Sequence, residues 1–190
     1  MKSKDIRVLL ILTVLLLLLS SCKTTQSKRA MNNPGIIYAM VYDGNYKPIS
    51  GVSVLINDKK ITESDIQGRV VFDMNKTADY TITLEKKGYE SITETIKYDP
   101  LNALYFKMID TVELTNLADN AIEQKNYIAA HEYLDRALAL DPSLPDALFL
   151  KSIVFYLQNK NNEAMLILEN LMSLGLKDEY IIDFYRRMSE

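Results

Sequence analysis

Three hydrophobic patterns follow one another along the 190 residues. From Val8 to Leu19 the chain is apolar, interrupted only by Thr13. From 35 to 109 apolar residues recur with a period of two. Ile36, Tyr38, Met40 and Tyr42 share one face, and Val52, Val54 and Ile56 alternate with Ser53 and Leu55. Tyr80, Ile82 and Leu84 alternate with Thr81, Thr83 and Glu85, while Ile92, Ile96 and Tyr98 share a face. Successive side chains of a strand point to opposite sides, so this pattern predicts strands. Turn signals bound them: D-G-N at 43–45, K-P-I-S-G at 47–51, D-I-Q-G at 65–68 and K-K-G at 86–88. Five of the six glycines lie here, four of them between expected strands, where turns call for φ > 0. Short strands at this spacing predict an all-β sandwich.

After Asp110 the period becomes helical. Compared with itself at an offset of 34, the chain pairs Leu114 with Leu148, Ala118 with Ser152, Ala130 with Ala164 and Leu134 with Leu168. A fixed period of this length marks a helical repeat. A last apolar set, Ile181, Ile182, Phe184 and Tyr185, predicts a terminal helix over 178–189, with Gly175 ending the preceding helix and Asp178 capping this one. The expected fold is multidomain: an all-β sandwich over 35–109, then an all-α repeat domain over 111–190. Its repeats span 111–144 and 145–178. Arrays of this kind usually need about three units, so packing on the β-domain or on a second copy is expected.

The first apolar run is too short to span a bilayer, which takes about 20 residues. Lys2, Lys4 and Arg7 precede it and Ser20 and Ser21 follow it, the layout of an export signal over 1–21. Leu19-Ser20-Ser21-Cys22 resembles the lipobox of bacterial lipoproteins. The resemblance implies cleavage before Cys22, with lipid added to its sulfur and its new amino group. Stable anchoring takes more than one acyl chain, which a multiply acylated cysteine supplies. Residues 22–34, polar, aperiodic and ending in Asn-Asn-Pro, read as a flexible tether. The expected location is a membrane reached by export, the outer one in a two-membrane cell.

The β region resembles the carboxypeptidase regulatory-like domain, a transthyretin-like sandwich. The match rests on Asp43-Gly44, on Pro48 to Val54, on Thr62 to Val70, and on Lys87-Gly88-Tyr89-Glu90 after the strand Tyr80 to Leu84. It implies a non-catalytic module. Tyr38, Tyr42, Tyr80, Tyr89 and Tyr98 mostly sit on the apolar alternation, which favours core or rim packing over an outward sugar-stacking row. Asp43, Asp58, Asp65 and Asp73 lack the spacing of a calcium loop and read as solvated turn acids.

The helical region resembles the tetratricopeptide repeat (TPR). Leu114, Leu117, Ala118, Ala121, Tyr127, Ala130, Leu134, Ala137 and Pro142 fall on family positions in the first copy. Leu148, Ser152, Phe155, Ala164, Leu168 and Leu171 do so in the second, which departs at Lys151 and Leu176. The resemblance implies a concave face that binds partner proteins. By position it holds Thr115, Asp119, Ile122 and Glu123, then Asp146, Phe149, Ile153 and Tyr156; Asp119, Phe149, Ile153 and Tyr156 are the candidate contacts. The apolar members are open to two uses, a partner interface or packing on the terminal helix or the β-domain.

Composition narrows the remaining classes. Cys22 is the only cysteine, so no intrachain disulfide forms, and stability must come from packed cores. Net charge is +3 over 22–34, −2 over 35–110 and −6 over 111–190, with no basic patch in the folded part, which argues against nucleic acid. His131 is the only histidine, beside Glu132 on the second expected helix, and reads as solvent-facing. Nucleophilic catalysis would need a partnered Ser or Cys and zinc several His or Cys ligands. The reading is therefore a non-enzyme without cofactor: a lipid-anchored scaffold for an envelope protein partner or for a second copy. The alternatives are a glycan- or peptidoglycan-binding lipoprotein acting through the sandwich, or an accessory subunit of an envelope enzyme or transport complex.

Overall fold

A computed structural model of the chain describes residues 34–75, 79–99 and 101–189. The expected export signal, the candidate lipid site Cys22 and the tether, apart from Pro34, lie outside the described residues. Seven strands come first: β1 (Pro34–Tyr42), β2 (Ser53–Ile56), β3 (Lys59–Glu63), β4 (Arg69–Asn75), β5 (Asp79–Glu85), β6 (Ile92–Lys97) and β7 (Leu104–Lys107). Five helices follow: α1 (Thr111–Glu123), α2 (Tyr127–Leu140), α3 (Pro145–Leu157), α4 (Asn161–Ser173) and α5 (Glu179–Ser189).

The strands form two sheets, ordered β4-β1-β7 and β3-β2-β5-β6. β1 pairs antiparallel with β4 and parallel with β7, and the second sheet is antiparallel throughout. One core lies between them. Ile37, Ala39, Val41, Val70, Phe72, Met74 and Phe106 of the first sheet meet Val54, Ile56, Ile82, Leu84 and Ile96 of the second. The face of β1 that carries Ile36, Tyr38, Met40 and Tyr42 is therefore the outer one. Ile36 and Tyr38 are exposed there, which corrects the core or rim place expected for Tyr38. The segment I-I-Y-A-M-V-Y is apolar on both faces, so alternation alone does not choose between them. Small Ala39 and branched Ile37 and Val41 fit between packed sheets, whereas a phenol keeps its hydroxyl in water on the outside. Tyr80, Tyr89 and Tyr98 pack half-buried against the core, as expected.

Two devices fix the connections. Buried Ser64 donates its Oγ hydrogen to the Ile49 carbonyl (2.7 Å) and accepts from the Val52 N–H (2.9 Å), tying the β3–β4 connection to the β1–β2 loop. Asp43 and Asp65 close their turns in the same way. Oδ1 of Asp43 accepts from the N–H groups of Asn45 and Lys47, and Oδ1 of Asp65 accepts from those of Gln67 and Arg69, all at 2.9 Å. These acids shape their own turns through side-chain acceptance of backbone donors.

The helices follow without a spacer. Asp110 caps α1 by accepting the Glu113 N–H at 2.8 Å. Tyr89 bridges to Asp110, and the Glu90 N–H reaches the Ile109 carbonyl at 2.9 Å. Arg136 on α2 grips the Glu90 carboxylate with two bonds, Nε to Oε1 at 2.8 Å and Nη2 to Oε2 at 2.7 Å. Residues 34–190 thus make one compact unit.

α1 and α2 pair through Leu114, Ala118, Ala121, Ala130, Leu134 and Ala137, where the four alanines allow close approach and the two leucines fill the space between the helices. The α1–α2 turn holds Lys125 at φ 57°, and the Asn126 N–H returns to the Ala121 carbonyl at 2.8 Å. Thirty-four positions on, the α3–α4 turn holds Asn159 at φ 60°, and the Lys160 N–H returns to the Phe155 carbonyl at 2.9 Å. The sequence period is thus also a period of backbone geometry. α4 and α5 close the end of the array around Leu148, Ala164, Leu168, Leu171, Ile181 and Met188. Lys151, a departure from the repeat pattern, pairs with Asp135 of α2.

Candidate functional site

α1 and α3 lie side by side and present one shared cleft of about 250 Å³, lined by Thr115, Asn116, Asp119, Asp146, Phe149 and Leu150. Spacing of four along α1 sets Thr115 beside Asp119, and spacing of three along α3 sets Asp146 beside Phe149. Thr115 donates its hydroxyl hydrogen to the Thr111 carbonyl at 2.6 Å. Asp119 and Asp146 are exposed, and neither has an ion-pair partner among the described residues. The cleft therefore has an acidic mouth and a floor made by Phe149 and Leu150.

Four of the residues expected on a concave face meet here: Thr115, Asp119, Asp146 and Phe149. Ile153 and Tyr156 do not line the cleft. Tyr156 meets Phe184 of α5 edge-on at 5.2 Å. Phe149 also packs edge-on against Tyr180 (5.0 Å) and Phe184 (6.1 Å). Of the two uses open to the apolar set, packing on the terminal helix takes most of the aromatic surface, though Tyr156 stays 42% exposed. Ile122 packs half-buried into the α1–α2 core, and Glu123 is exposed at the end of α1. Asn116 and Leu150 were missed by position matching. Each adjoins a matched residue, so wider helical faces would have included them.

His131 differs from its expected place in solvent. Its ring is half-buried, 4.8 Å from that of Phe155, and Nε2 meets Oε1 of Gln158 at 3.2 Å. It joins α2 to α3.

The outer face of the β4-β1-β7 sheet is the second candidate. Register places Val71 beside Tyr38 and Tyr105 beside Met40. Tyr46, held at φ 61° in the following turn, stacks on Tyr42 at 5.6 Å and 13°. With Met40, Pro48, Gln67 and Tyr105 these two rings border a shallow hollow of about 390 Å³. Tyr38, Tyr46 and Tyr105 are 60%, 83% and 67% exposed.

A third hollow, of about 210 Å³, lies between the 43–45 turn and α1 and carries Asp43, Asp110 and Glu113. Each of these carboxylates supports the local structure. Asp43 closes its turn, Asp110 caps α1, and Glu113 pairs with Lys107 at 2.9 Å. That pairing raises the Lys107 ammonium above its usual value, chiefly through its hydrogen bond to Glu113. Among the described residues no group of three or more His, Cys, Asp or Glu is placed to hold a metal ion. Among them, too, no helix is long and apolar enough to cross a membrane.

No family model matches the chain, and no curated protein matches it.

Proposed function

We propose that this protein is a non-catalytic, lipid-anchored component of the bacterial envelope that holds a partner protein on its helical array. In this reading Cys22 carries the lipid, residues 35–109 form a transthyretin-like spacer of the carboxypeptidase regulatory-like kind, and residues 111–190 form two TPR units with a closing helix. The observation that carries it is the α1–α3 cleft, where Asp119 and Asp146 stand unpaired over the apolar floor of Phe149 and Leu150. A peptide segment bearing a lysine or arginine beside an apolar side chain fits that combination. Recurrence of the same turn 34 residues apart supports the TPR assignment.

Because Phe149 and Tyr156 also support α5, substitutions there would confuse binding with folding. Asp119→Lys combined with Asp146→Lys reverses the charge at two exposed positions instead. The proposal expects envelope proteins crosslinked to the wild-type chain in cells to be lost from this variant, while its circular dichroism stays unchanged and its melting point falls only by the small cost of a lysine in the first turn of α3. An identical crosslinking pattern would refute the cleft. Membrane fractionation of Cys22→Ala tests the anchor separately, and a protein that stays fully membrane-bound with unchanged mass refutes it.

A further inference from the structure

The outer face of the β4-β1-β7 sheet is covered by nothing in the chain's described residues. Ile36 and Tyr38 of β1, Val71 of β4 and Tyr105 of β7 are all more than half exposed on it, and the Tyr42–Tyr46 stack extends it. A contiguous face of this kind normally marks something that docks there.

The chain itself says what lies near. The face begins at Ile36, two residues after Pro34, where the segment from Cys22 arrives. Eleven residues separate Cys22 from Pro34, a reach of at most about 40 Å. β1 runs about 27 Å from Pro34 to Tyr42 at strand rise. The tether is therefore long enough to lay the whole face on the surface that holds the lipid. The helices stand at the other end of β1, where Lys107 meets Glu113 of α1. The side chains suit that surface: Ile36 and Val71 are aliphatic, and tyrosines place an apolar ring and a wet hydroxyl where headgroups meet acyl chains. Charges on and around the face are mixed, with Asp73 opposite Ile36, Arg69 opposite Met40 and paired with Asp65, and Lys47 at the rim. Residues 35–190 are net negative, which favours a zwitterionic surface over an anionic one.

We infer that this sheet face rests on the lipid bilayer, so that the sandwich lies flat against the membrane with the helical array beyond the Tyr42 end of β1. The inference rests on the Cys22 anchor for its strength. The face alone binds weakly, and the tether raises its effective concentration at the surface to the millimolar range.

The chain has no tryptophan, so Tyr38→Trp and Tyr105→Trp each introduce a single reporter on the face. Thr93→Trp, at an exposed position on the outer side of the other sheet, serves as control. Each full-length variant, processed and lipidated, is reconstituted into phosphatidylcholine vesicles with and without brominated acyl chains. The expected result is blue-shifted emission and at least a twofold loss of intensity in brominated vesicles at positions 38 and 105, with no change at 93. Vesicle-bound protein with equal, solvent-like emission at all three positions overturns the inference while leaving the anchor intact. Emission at 38 and 105 that shifts without bromine quenching overturns it too: dependence on protein concentration would assign the face to a second copy, and a shift on adding cell-wall polysaccharide would assign it to glycan. If Cys22→Ala leaves membrane attachment unchanged, the anchor reading falls; quenching at 38 and 105 with saturating vesicles would still uphold the face.

Discussion

The contact between Glu90 and Arg136 ties α2 to the sandwich, and a double-mutant cycle measures its strength. The two parallel bonds are 2.7 and 2.8 Å long, and the side chains are 28% and 34% exposed. Fully exposed pairs contribute about 0.2–1 kcal/mol, whereas stripping one partner from a fully buried pair costs about 3–5 kcal/mol. A bidentate pair with a third of its surface in water falls between these limits, so a coupling of about 1–2 kcal/mol is expected. Arg136 also lies over the Tyr133 ring at 5.6 Å, worth about 0.5–1 kcal/mol more. Arg136→Ala is therefore expected to cost more than Glu90→Ala, and the difference cancels in the cycle. Urea unfolding of wild type, both single variants and the double variant, followed by far-ultraviolet circular dichroism and by tyrosine fluorescence, supplies the four free energies. Arg136→Lys should behave almost like the alanine variant, because an ammonium cannot form the paired fork. High salt should shrink the coupling, since part of the pair is screened. A coupling under about 0.3 kcal/mol, within ordinary additivity error, or a lysine variant as stable as wild type, would refute the clamp.

Four other substitutions test the sandwich. Ser64→Ala leaves the buried Val52 N–H and Ile49 carbonyl without their partner, and should cost about 1–3 kcal/mol in denaturant unfolding; a loss under about 0.5 kcal/mol would show that water replaces the hydroxyl. Gly68 sits at φ +71° with room for no Cβ, because the Val41 carbonyl oxygen occupies that place, whereas Gly88 at φ +83° faces open space. Gly88→Ala should cost about 1–2 kcal/mol from backbone conformation alone and Gly68→Ala clearly more, so equal melting points would overturn the packing argument. The Asp65 carboxyl is held below its usual value, first by the backbone N–H of Arg69 and opposed by partial burial. Its folded pKa is the lower one, so its contribution is complete above the unfolded value and is lost as pH falls through the folded one. The stability gap between wild type and Asp65→Asn should therefore be full at neutral pH and shrink as pH falls below the ordinary aspartate range, and a gap independent of pH would contradict this.

Elements whose signals are local were legible in the sequence. The change from period two to helical period at Asp110 coincides with the real start of α1, because the aspartate that follows the last strand supplies the first cap. The 34-residue offset found in side chains returns in the turns at Lys125 and Asn159, since equal packing faces need equal backbone reversals. What the sequence could not settle depends on partners distant along the chain. Ser64 reads as one more polar residue in a turn until Ile49 and Val52, folded back beside it, become its partners. Glu90 and Arg136 are 46 positions apart, and no period relates them. His131 looked solvated on its own helix because Phe155 and Gln158 belong to another.

The two candidate surfaces were legible to different degrees for the same reason. The resemblance to a helical repeat put Asp119 and Asp146 on one expected face, and both line one cleft. The same rule cannot tell how much of Phe149 and Tyr156 a terminal helix will cover, because that depends on where Tyr180 and Phe184 land. For β1 the ambiguity was complete: Ile36, Tyr38, Met40 and Tyr42 on one side, Ile37, Ala39 and Val41 on the other, all apolar or aromatic. Only pairing with β4 and β7, which brings Phe72 and Phe106 to the Ala39 side and Val71 and Tyr105 to the Tyr38 side, decides it. A strand apolar on both faces is what a buried central strand needs, yet β1 has a second sheet on one side only. Tyrosine and isoleucine left in the open on the other side are hard to account for by folding alone. They are accounted for if that side, like the lipid proposed at Cys22, belongs to the membrane surface.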